Sequence, residues 1–240
     1  MLTLKLENLD ELDRLSVEYA KRERRLTSSD IYSPFNPAYL FGSHQRRRAE
    51  LKLLRRHGFT TLKNRRILEL GCGQGRILLE YLGYGAAPKR LHGTDLLLPQ
   101  LKNAQAQLPH LPLTCADGQH LPYRSRVFDL VLQYTVFSSI LDPKIKTQLA
   151  REMLRVTKPG GMILWYDFWL NPFNEQTRGI RPAEIRHLFP GCDFEFHRIT
   201  LAPPLARRLV PVSWLLCYLL EKLSVFNSHY LVAIRQQAPE

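Results

Sequence analysis

Three glycines, Gly71, Gly73 and Gly75, stand at alternate positions directly after the apolar run Ile67–Leu70. Glycine lacks a Cβ atom, so this spacing permits a sharp turn from a strand into a helix and lets a ligand lie directly on the backbone. Amides at the start of the following helix are then available as hydrogen-bond donors. These features alone would suit any nucleotide.

The spacing of the glycines and one acidic residue narrow the choice of ligand. Gly-x-Gly-x-Gly differs from the Gly-x-Gly-x-x-Gly of dinucleotide sites, which hold a pyrophosphate. Glu69 lies within the apolar run just before the loop. Its carboxylate would repel a pyrophosphate but would attract an ammonium or a sulfonium group. The loop therefore favours a ligand that carries positive charge.

Polar residues also follow the next three apolar runs. Asp95 stands twenty residues after the last glycine of the loop, where a carboxylate can accept hydrogen bonds from both hydroxyls of a ribose. After the third run come Asp117 and Gly118, and a carboxylate there can accept a hydrogen bond from an exocyclic adenine amine. Gln133 and Tyr134 end the fourth run and are expected to face the same crevice.

From residue 66 onward, short apolar runs alternate with helical segments, which predicts a parallel sheet with crossover helices. The predicted strands are Ile67–Leu70, Leu91–Thr94, Leu113–Ala116, Phe128–Leu132, Met162–Tyr166, Phe194–Leu201 and Tyr230–Ile234. The predicted helices between them include Ile77–Leu82, Pro99–Leu108, Ile145–Val156, Pro182–Phe189 and Pro204–Leu223. The first 66 residues are predicted to form helices and loops, with one helix over Pro37–Gly58 that ends at its glycine.

Over about residues 63–168 the chain resembles class I S-adenosylmethionine-dependent methyltransferases, in the group that includes ubiquinone- and menaquinone-biosynthesis-type small-molecule enzymes. The glycine loop and the two acids carry the resemblance, together with Leu121-Pro122-Tyr123 before the fourth strand and a turn over Lys158–Gly161 before the fifth. It implies an α/β, Rossmann-like three-layer sandwich. The seven-stranded, mostly parallel sheet would have the order 3-2-1-4-5-7-6, with the last strand antiparallel.

The resemblance also implies a cofactor, S-adenosyl-L-methionine, and a product, S-adenosyl-L-homocysteine. In the family the glycine loop holds the methionine part, the acid after the second strand holds the ribose, and the acid after the third contacts adenine. The cofactor-binding residues predicted in this way are Glu69, Gly71, Cys72, Gly73, Gly75, Asp95, Leu96, Asp117, Gly118 and Gln133.

Length and composition favour one domain over residues 1–240, with 34 Lys and Arg against 22 Asp and Glu and a net charge of +12. We expect a helical cap or lid over 1–62 and the Rossmann-like core over 63–240, with a helical insertion near 203–224 that splits the last two strands. The acidic N-terminus does not read as a signal peptide, which predicts a cytoplasmic location. The four cysteines form no CxxC pair, so no metal site is predicted.

Methyl transfer from a sulfonium needs alignment and exclusion of water, and a base only where the acceptor must lose a proton. No catalytic residue is therefore assigned. Tyr134, Tyr166 and Asp167 are the candidates that would face the acceptor. For the two tyrosines an aromatic wall is the favoured role, because a phenol with a pKa of about 10 is a poor base.

The acceptor stays open between alternatives. A small organic acceptor is favoured, with O-methylation of a sugar, lipid-linked or secondary-metabolite substrate under a lid formed by 1–60 and 169–181. The segments Asp30–Pro37 and Trp165–Asn174 are rich in aromatic residues and amides, which suits them to cover an organic acceptor. The first alternative is an RNA methyltransferase that uses the basic N-terminal region, including Arg46, Arg47 and Arg48. The second is a non-catalytic S-adenosylmethionine-binding protein. The segment 205–223 is a candidate for peripheral membrane contact, although a core helix explains the same residues.

Overall fold

Seven strands form one sheet within residues 11–22, 29–170 and 176–237, the part of the chain that this computed structural model describes. The strands are β1 Ile67–Leu70, β2 Leu91–Asp95, β3 Leu113–Cys115, β4 Phe128–Tyr134, β5 Thr157–Phe168, β6 Cys192–Leu201 and β7 Asn227–Gln236. Eight helices accompany them in the same described ranges: α1 11–22, α2 Pro37–Arg56, α3 Arg76–Gly83, α4 Leu98–Gln107, α5 Pro143–Val156, α6 Pro182–Leu188, α7 Pro203–Leu209 and α8 Trp214–Lys222.

The strand order is β3-β2-β1-β4-β5-β7-β6. Strands β1 to β5 run parallel to one another, and β7 runs antiparallel between β5 and β6. This confirms the predicted fold class, strand order and antiparallel last strand. The chain leaves β1 toward β2 on one side and returns to β4 on the other, so a crevice opens between their carboxyl ends, where ligands bind in open α/β sheets.

Alternate residues of the central strands face opposite sides of the sheet and build two separate cores. Leu68 and Val131 lie in one core, beneath α5 and α6. Ile67 and Leu130 lie in the other, beneath α2 and α3. The sheet is thus buried on both faces, which is why its strands read as nearly continuous apolar runs in the sequence.

The described part of α1 packs at the carboxyl edge of the sheet. Leu15 joins the core beneath α5. Arg14 donates a hydrogen bond to the Ser139 carbonyl oxygen at 2.7 Å, and the Glu11 carboxylate accepts one from the Leu141 amide at 2.7 Å. These contacts fix α1 against the loop that follows β4. The division into a cap over 1–62 and a core over 63–240 stays a prediction.

Two predicted boundaries are wrong. The single helix expected over Pro204–Leu223 is two helices, α7 and α8, because Pro211 lacks a backbone amide and Ser213 caps a new helix by accepting a hydrogen bond from the Leu216 amide. The turn expected before the fifth strand lies inside β5. The pairing passes from Phe128–Thr157 to Leu130–Met162, so Lys158–Gly161 bulge out of the ladder.

Aromatic packing holds the loop after β4. Phe137 is fully buried, with its ring centroid 4.5 Å from that of Trp165. We predict that Phe137→Ala lowers the free energy of unfolding by about 3–5 kcal/mol, because it removes a buried ring and leaves a cavity. Phe35, which is 94% exposed, provides the matched control, and Phe35→Ala should stay within about 0.5 kcal/mol of wild type in urea unfolding. Equal midpoints for the two variants would contradict the packing described here.

Candidate active site

A cavity of about 790 Å³ lies at the carboxyl ends of the central strands. Its walls come from the loops after β1, β2, β3 and β4, from the ends of β5, β6 and β7, and from residues of α1, α2 and α7. This volume falls in the range of pockets that enclose small ligands. The position is the crevice that the reversal of strand order predicts.

The glycine loop forms the floor of the cavity. Gly71 has a φ of +68°, and a Cβ atom there would lie only 2.5 Å from Cγ2 of Val136. Gly73 has a φ of +51° and nothing within 4 Å of its Cβ position, so its open side can receive a ligand. The Gly73 amide donates to Asp95 Oδ2 at 2.8 Å. The loop is therefore tied to the end of β2 while its surface stays open.

Glu69 lies in the same wall with its side chain buried. Its Oε2 atom has no hydrogen-bond partner among the described residues. Burial, and then the nearby Asp95 carboxylate, raise the pKa of Glu69 well above its usual range. A buried carboxylate oxygen without a donor is costly unless a cation or an N–H group supplies one. The position is suited to an ammonium group of a ligand.

Asp95 ends β2 with its carboxylate held by the backbone. Oδ1 accepts from the Leu97 amide at 2.9 Å, and Oδ2 accepts from the Gly73 amide. An ionised carboxylate offers about four acceptor positions, so those not used remain for a ribose diol. Cys72, Leu96, Asp117 and Gly118 line the same part of the cavity.

Three residues from the predicted set do not lie on the cavity wall. Gly75 caps the N-terminus of α3. Gln133 is buried in β4 and accepts a hydrogen bond from the Val136 amide at 3.1 Å. Asp167 is buried at the end of β5, where its carboxylate accepts from the Ser138 and Phe168 amides at 3.1 and 2.8 Å. Gln133 and Asp167 therefore hold the turns that carry the lining residues.

Tyr134 and Tyr166 both line the cavity, with ring centroids 5.7 Å apart. The Tyr134 hydroxyl lies 3.5 Å from that of Tyr81, and the Tyr166 hydroxyl lies 2.9 Å from Thr200 Oγ1. Burial raises the pKa of Tyr166 to about 12 and that of Tyr134 well above its usual range. The phenols keep their protons at neutral pH, which supports the wall role over a base.

The structure adds cavity residues that the sequence pattern did not indicate. His229 stacks on Tyr166 with ring centroids 4.6 Å apart, and burial lowers its pKa to about 3, so the imidazole is neutral. Thr135 and Thr200 line the cavity with φ values of +56° and +67°. Such backbone conformations are strained for β-branched residues and concentrate at functional sites. No spacing in the sequence distinguishes these positions.

Arg46 also reaches the cavity, from α2. Its guanidinium lies 3.1 Å from Glu50 and 2.7 Å from Glu80, and 5.3 Å from the centre of the Tyr134 ring. Arg47 and Arg48 are paired as well, with Glu80 at 3.3 Å and with Glu221 at 2.9 Å. The arginine run that motivated the RNA alternative thus has carboxylate partners.

Neither a metal cluster nor a membrane-spanning helix accompanies this site among the described residues. Within 11–22, 29–170 and 176–237, no three His, Cys, Asp or Glu side chains come together as a metal site. No helix in those ranges is both long and apolar enough to cross a membrane. Parts of the predicted lid, residues 1–10, 23–28 and 171–175, lie outside the described residues.

Methyltransferases are among the solved structures that share this fold. A putative methyltransferase of Haloferax volcanii, in complex with the Trm112 methyltransferase activator, superposes with a TM-score of 0.61 at 19% identity, over 87% of this chain and 97% of that one. Geranyl diphosphate C-methyltransferase of Streptomyces coelicolor, bound to S-adenosyl-L-homocysteine, superposes with a TM-score of 0.56 at 14% identity, over 78% and 76%. At these identities the likeness shows the fold alone.

Similar sequences identify the family of the central part of the chain. Residues 68–165 match the family model described as a methyltransferase domain. Phthiotriol/phenolphthiotriol dimycocerosates methyltransferase 1 of Mycobacterium ulcerans is 36% identical over 116 residues, which cover 48% of this chain and 41% of that protein. The match spans 41% of the length of the first curated relatives as well. Residues 68–165 are a methyltransferase domain of the class I, S-adenosylmethionine-dependent type.

The buried carboxyl group of Asp167 makes stability depend on pH. Burial raises its pKa to about 6, from an ordinary value near 3.8. The folded protein then holds a proton that the unfolded chain has lost, so the contribution of Asp167 to stability is greatest below about pH 4 and is lost as the pH rises through about 6. We predict that the free energy of unfolding of Asp167→Asn, measured from pH 4 to 7, lacks this loss, which is on the order of 2 kcal/mol. Parallel pH profiles for the two proteins would contradict the assignment.

Proposed function

We propose that the whole protein transfers the methyl group of S-adenosyl-L-methionine to an oxygen atom of an apolar, lipid-like small molecule. The observation that carries the cofactor assignment is the buried Glu69 carboxylate, whose Oε2 lacks a partner among the described residues beside the open surface of Gly73. A pyrophosphate would be repelled there, whereas an amino-acid ammonium would neutralise the carboxylate.

The cavity residues fit S-adenosylmethionine in three places. Glu69 would hold the ammonium of its methionine part, the free acceptor positions of Asp95 would hold the ribose hydroxyls, and Asp117 would accept from the adenine amine. When bound, this cofactor supplies a methyl group on a positively charged sulfur, which is a strong electrophile. The protein's task is to align the acceptor with that group and to exclude water.

The remainder of the cavity favours an apolar acceptor. Leu12, Leu15, Ile140 and Phe168 line it, and Ile31 does so from the segment before α2. Apolar walls with a few polar groups are typical of sites that bind small organic molecules. The name of the Mycobacterium ulcerans relative describes methylation of a lipid, which supports a lipid-like acceptor for this chain as well.

The buried hydroxyls beside this wall would orient the acceptor oxygen. Tyr166 and Thr200 form a hydrogen-bonded pair at 2.9 Å, and the raised pKa of Tyr166 keeps its proton available for donation. Arg46 lies 5.9 Å from the centre of the Tyr166 ring but is already matched by Glu50 and Glu80. These residues would therefore align the acceptor oxygen through neutral hydrogen bonds and would not act as a charged base.

The cofactor assignment is tested by calorimetric titration with S-adenosylmethionine and S-adenosylhomocysteine. Asp95→Ala should weaken binding by roughly 1–3 kcal/mol, because it removes a hydrogen-bonded carboxylate. Asp193→Ala provides a matched control, since Asp193 is exposed on β6 and does not line the cavity. Unchanged affinity in Asp95→Ala, or no binding by wild type, would remove the basis of this proposal.

The acceptor assignment is tested with methyl-labelled S-adenosylmethionine and a set of hydroxyl-bearing lipids, with total RNA in a parallel reaction. Label should enter the organic phase. Tyr166→Phe should lower kcat/KM for the lipid about tenfold through loss of the hydroxyl pair with Thr200, while S-adenosylmethionine affinity stays unchanged. Label found only in the RNA would replace the lipid-like acceptor by the RNA alternative.

A further inference from the structure

The segment Val212–Val225 exposes an unusual amount of apolar side chain. Of the seventeen large hydrophobic side chains that are exposed among the described residues, eight fall within these fourteen positions. They are Val212, Trp214, Leu215, Leu216, Tyr218, Leu219, Leu223 and Val225. Scattered exposed apolar residues are ordinary, but a continuous patch of this kind marks a surface that contacts another apolar phase.

Packing within the chain uses only a small part of α8. Cys217 is the one buried residue of this helix and joins a small core with Phe41, Ala206 and Val210. The Trp214 ring also contacts Phe41, with centroids 5.2 Å apart. The core-helix interpretation of this segment therefore accounts for one face of α8 and leaves Leu215 and Leu219, one turn apart, without cover from the described residues.

Basic side chains surround this patch. Arg207 and Arg208 end α7, and Lys222 ends α8; all three are exposed. Glu221 is the single acidic residue of the segment 203–226, and its carboxylate is paired with Arg48 at 2.9 Å. An apolar face bordered by cations complements a surface that is apolar within and anionic at its edge.

The aromatic residues favour a lipid bilayer over a protein partner. Trp214 and Tyr218 combine an apolar ring with a polar group, a combination enriched at the level of lipid headgroups. Lys222 lies over the Tyr218 ring, with its Nζ 4.8 Å from the centroid, so cation and aromatic ring are presented together. A helix that lies in the interface buries Leu, Trp and Tyr on one side and keeps Lys and Arg near the headgroups.

The patch adjoins the cavity. Pro203, Ala206 and Arg207 of α7 line the cavity, and α7 packs directly against α8 through the small core that contains Cys217. From the α2 side, Gly42 and Ser43 line the cavity next to the Phe41 ring that contacts Trp214. A bilayer seated on α8 would thus lie beside the cavity.

We propose that Val212–Val225 docks the protein on the surface of anionic phospholipid bilayers, with α8 lying in the headgroup region, so that a lipid acceptor can enter the cavity from the membrane. The docking surface stands on its own observations, and only its use for acceptor entry rests on the proposed function. The alternative occupant of this surface is a second copy of the chain, and the experiment below distinguishes it from a bilayer.

Flotation with unilamellar vesicles of phosphatidylglycerol and phosphatidylcholine in equal parts tests the proposal. Wild type should float with these vesicles, less with pure phosphatidylcholine, and less as salt is raised, because screening weakens the contribution of the basic residues. Leu215→Glu with Leu219→Glu should reduce the bound fraction at least about tenfold, since two apolar side chains of the docking face become charged.

The matched control places the same change elsewhere on the surface. Leu79→Glu with Leu98→Glu alters two residues of similar exposure, 55% and 51%, on α3 and α4, and this variant should float like wild type. Both double variants should retain the wild-type affinity for S-adenosylmethionine, which separates loss of docking from misfolding and from failure of the proposed function.

Three results would overturn the docking proposal. Wild type could fail to float with the anionic vesicles, or the α8 variant could float as well as wild type. Light scattering could instead show a wild-type dimer that the α8 substitutions convert to a monomer, in which case the patch is an interface between copies of this chain. The proposal is supported if the wild type is a monomer that binds the vesicles and if only the α8 variant loses this binding.

Discussion

The uncompensated carboxylate of Glu69 is the constraint around which the active site is arranged. The strand β1 buries this side chain at the point where the strand order reverses, and no described donor reaches Oε2. Burial without a partner penalises the ionised form of this side chain, as the raised pKa of Glu69 reflects. A cationic ligand group removes that penalty, so ligand binding and the stability of this wall are coupled.

Hydrogen bonds from the surrounding structure fix the loops that form this wall and leave its surface open. The Gly73 amide is bound to Asp95, and the turn after β4 is held by Gln133 and Asp167 from behind the cavity. Thr135 and Thr200 have left-handed backbone conformations beside the cavity, and such strained conformations persist only where the surrounding structure holds them. These two strained residues and the unpaired Glu69 Oε2 thus lie beside the cavity.

Much of the fold could be predicted from the sequence, because the apolar runs of a doubly covered sheet and the glycine loop are local signals. The split between α7 and α8 could have been anticipated from Pro211. His229 and Arg46 could not, since their places in the cavity depend on the pairing of β7 with β5 and on the packing of α2, both of which join distant parts of the chain. The placement of Gln133 and Asp167 behind the wall likewise depends on strand register rather than on residue type.

The most direct test of the central claim is a crystal structure of the protein with S-adenosyl-L-homocysteine. The account predicts that the ligand's ammonium contacts Glu69 Oε2, that its ribose hydroxyls contact Asp95, and that Gly73 lies beneath its amino-acid part. A ligand bound with its ammonium away from Glu69 would contradict the assignment of this carboxylate and of the site built around it. A phosphate-bearing nucleotide found in the cavity in place of S-adenosyl-L-homocysteine would contradict it as well.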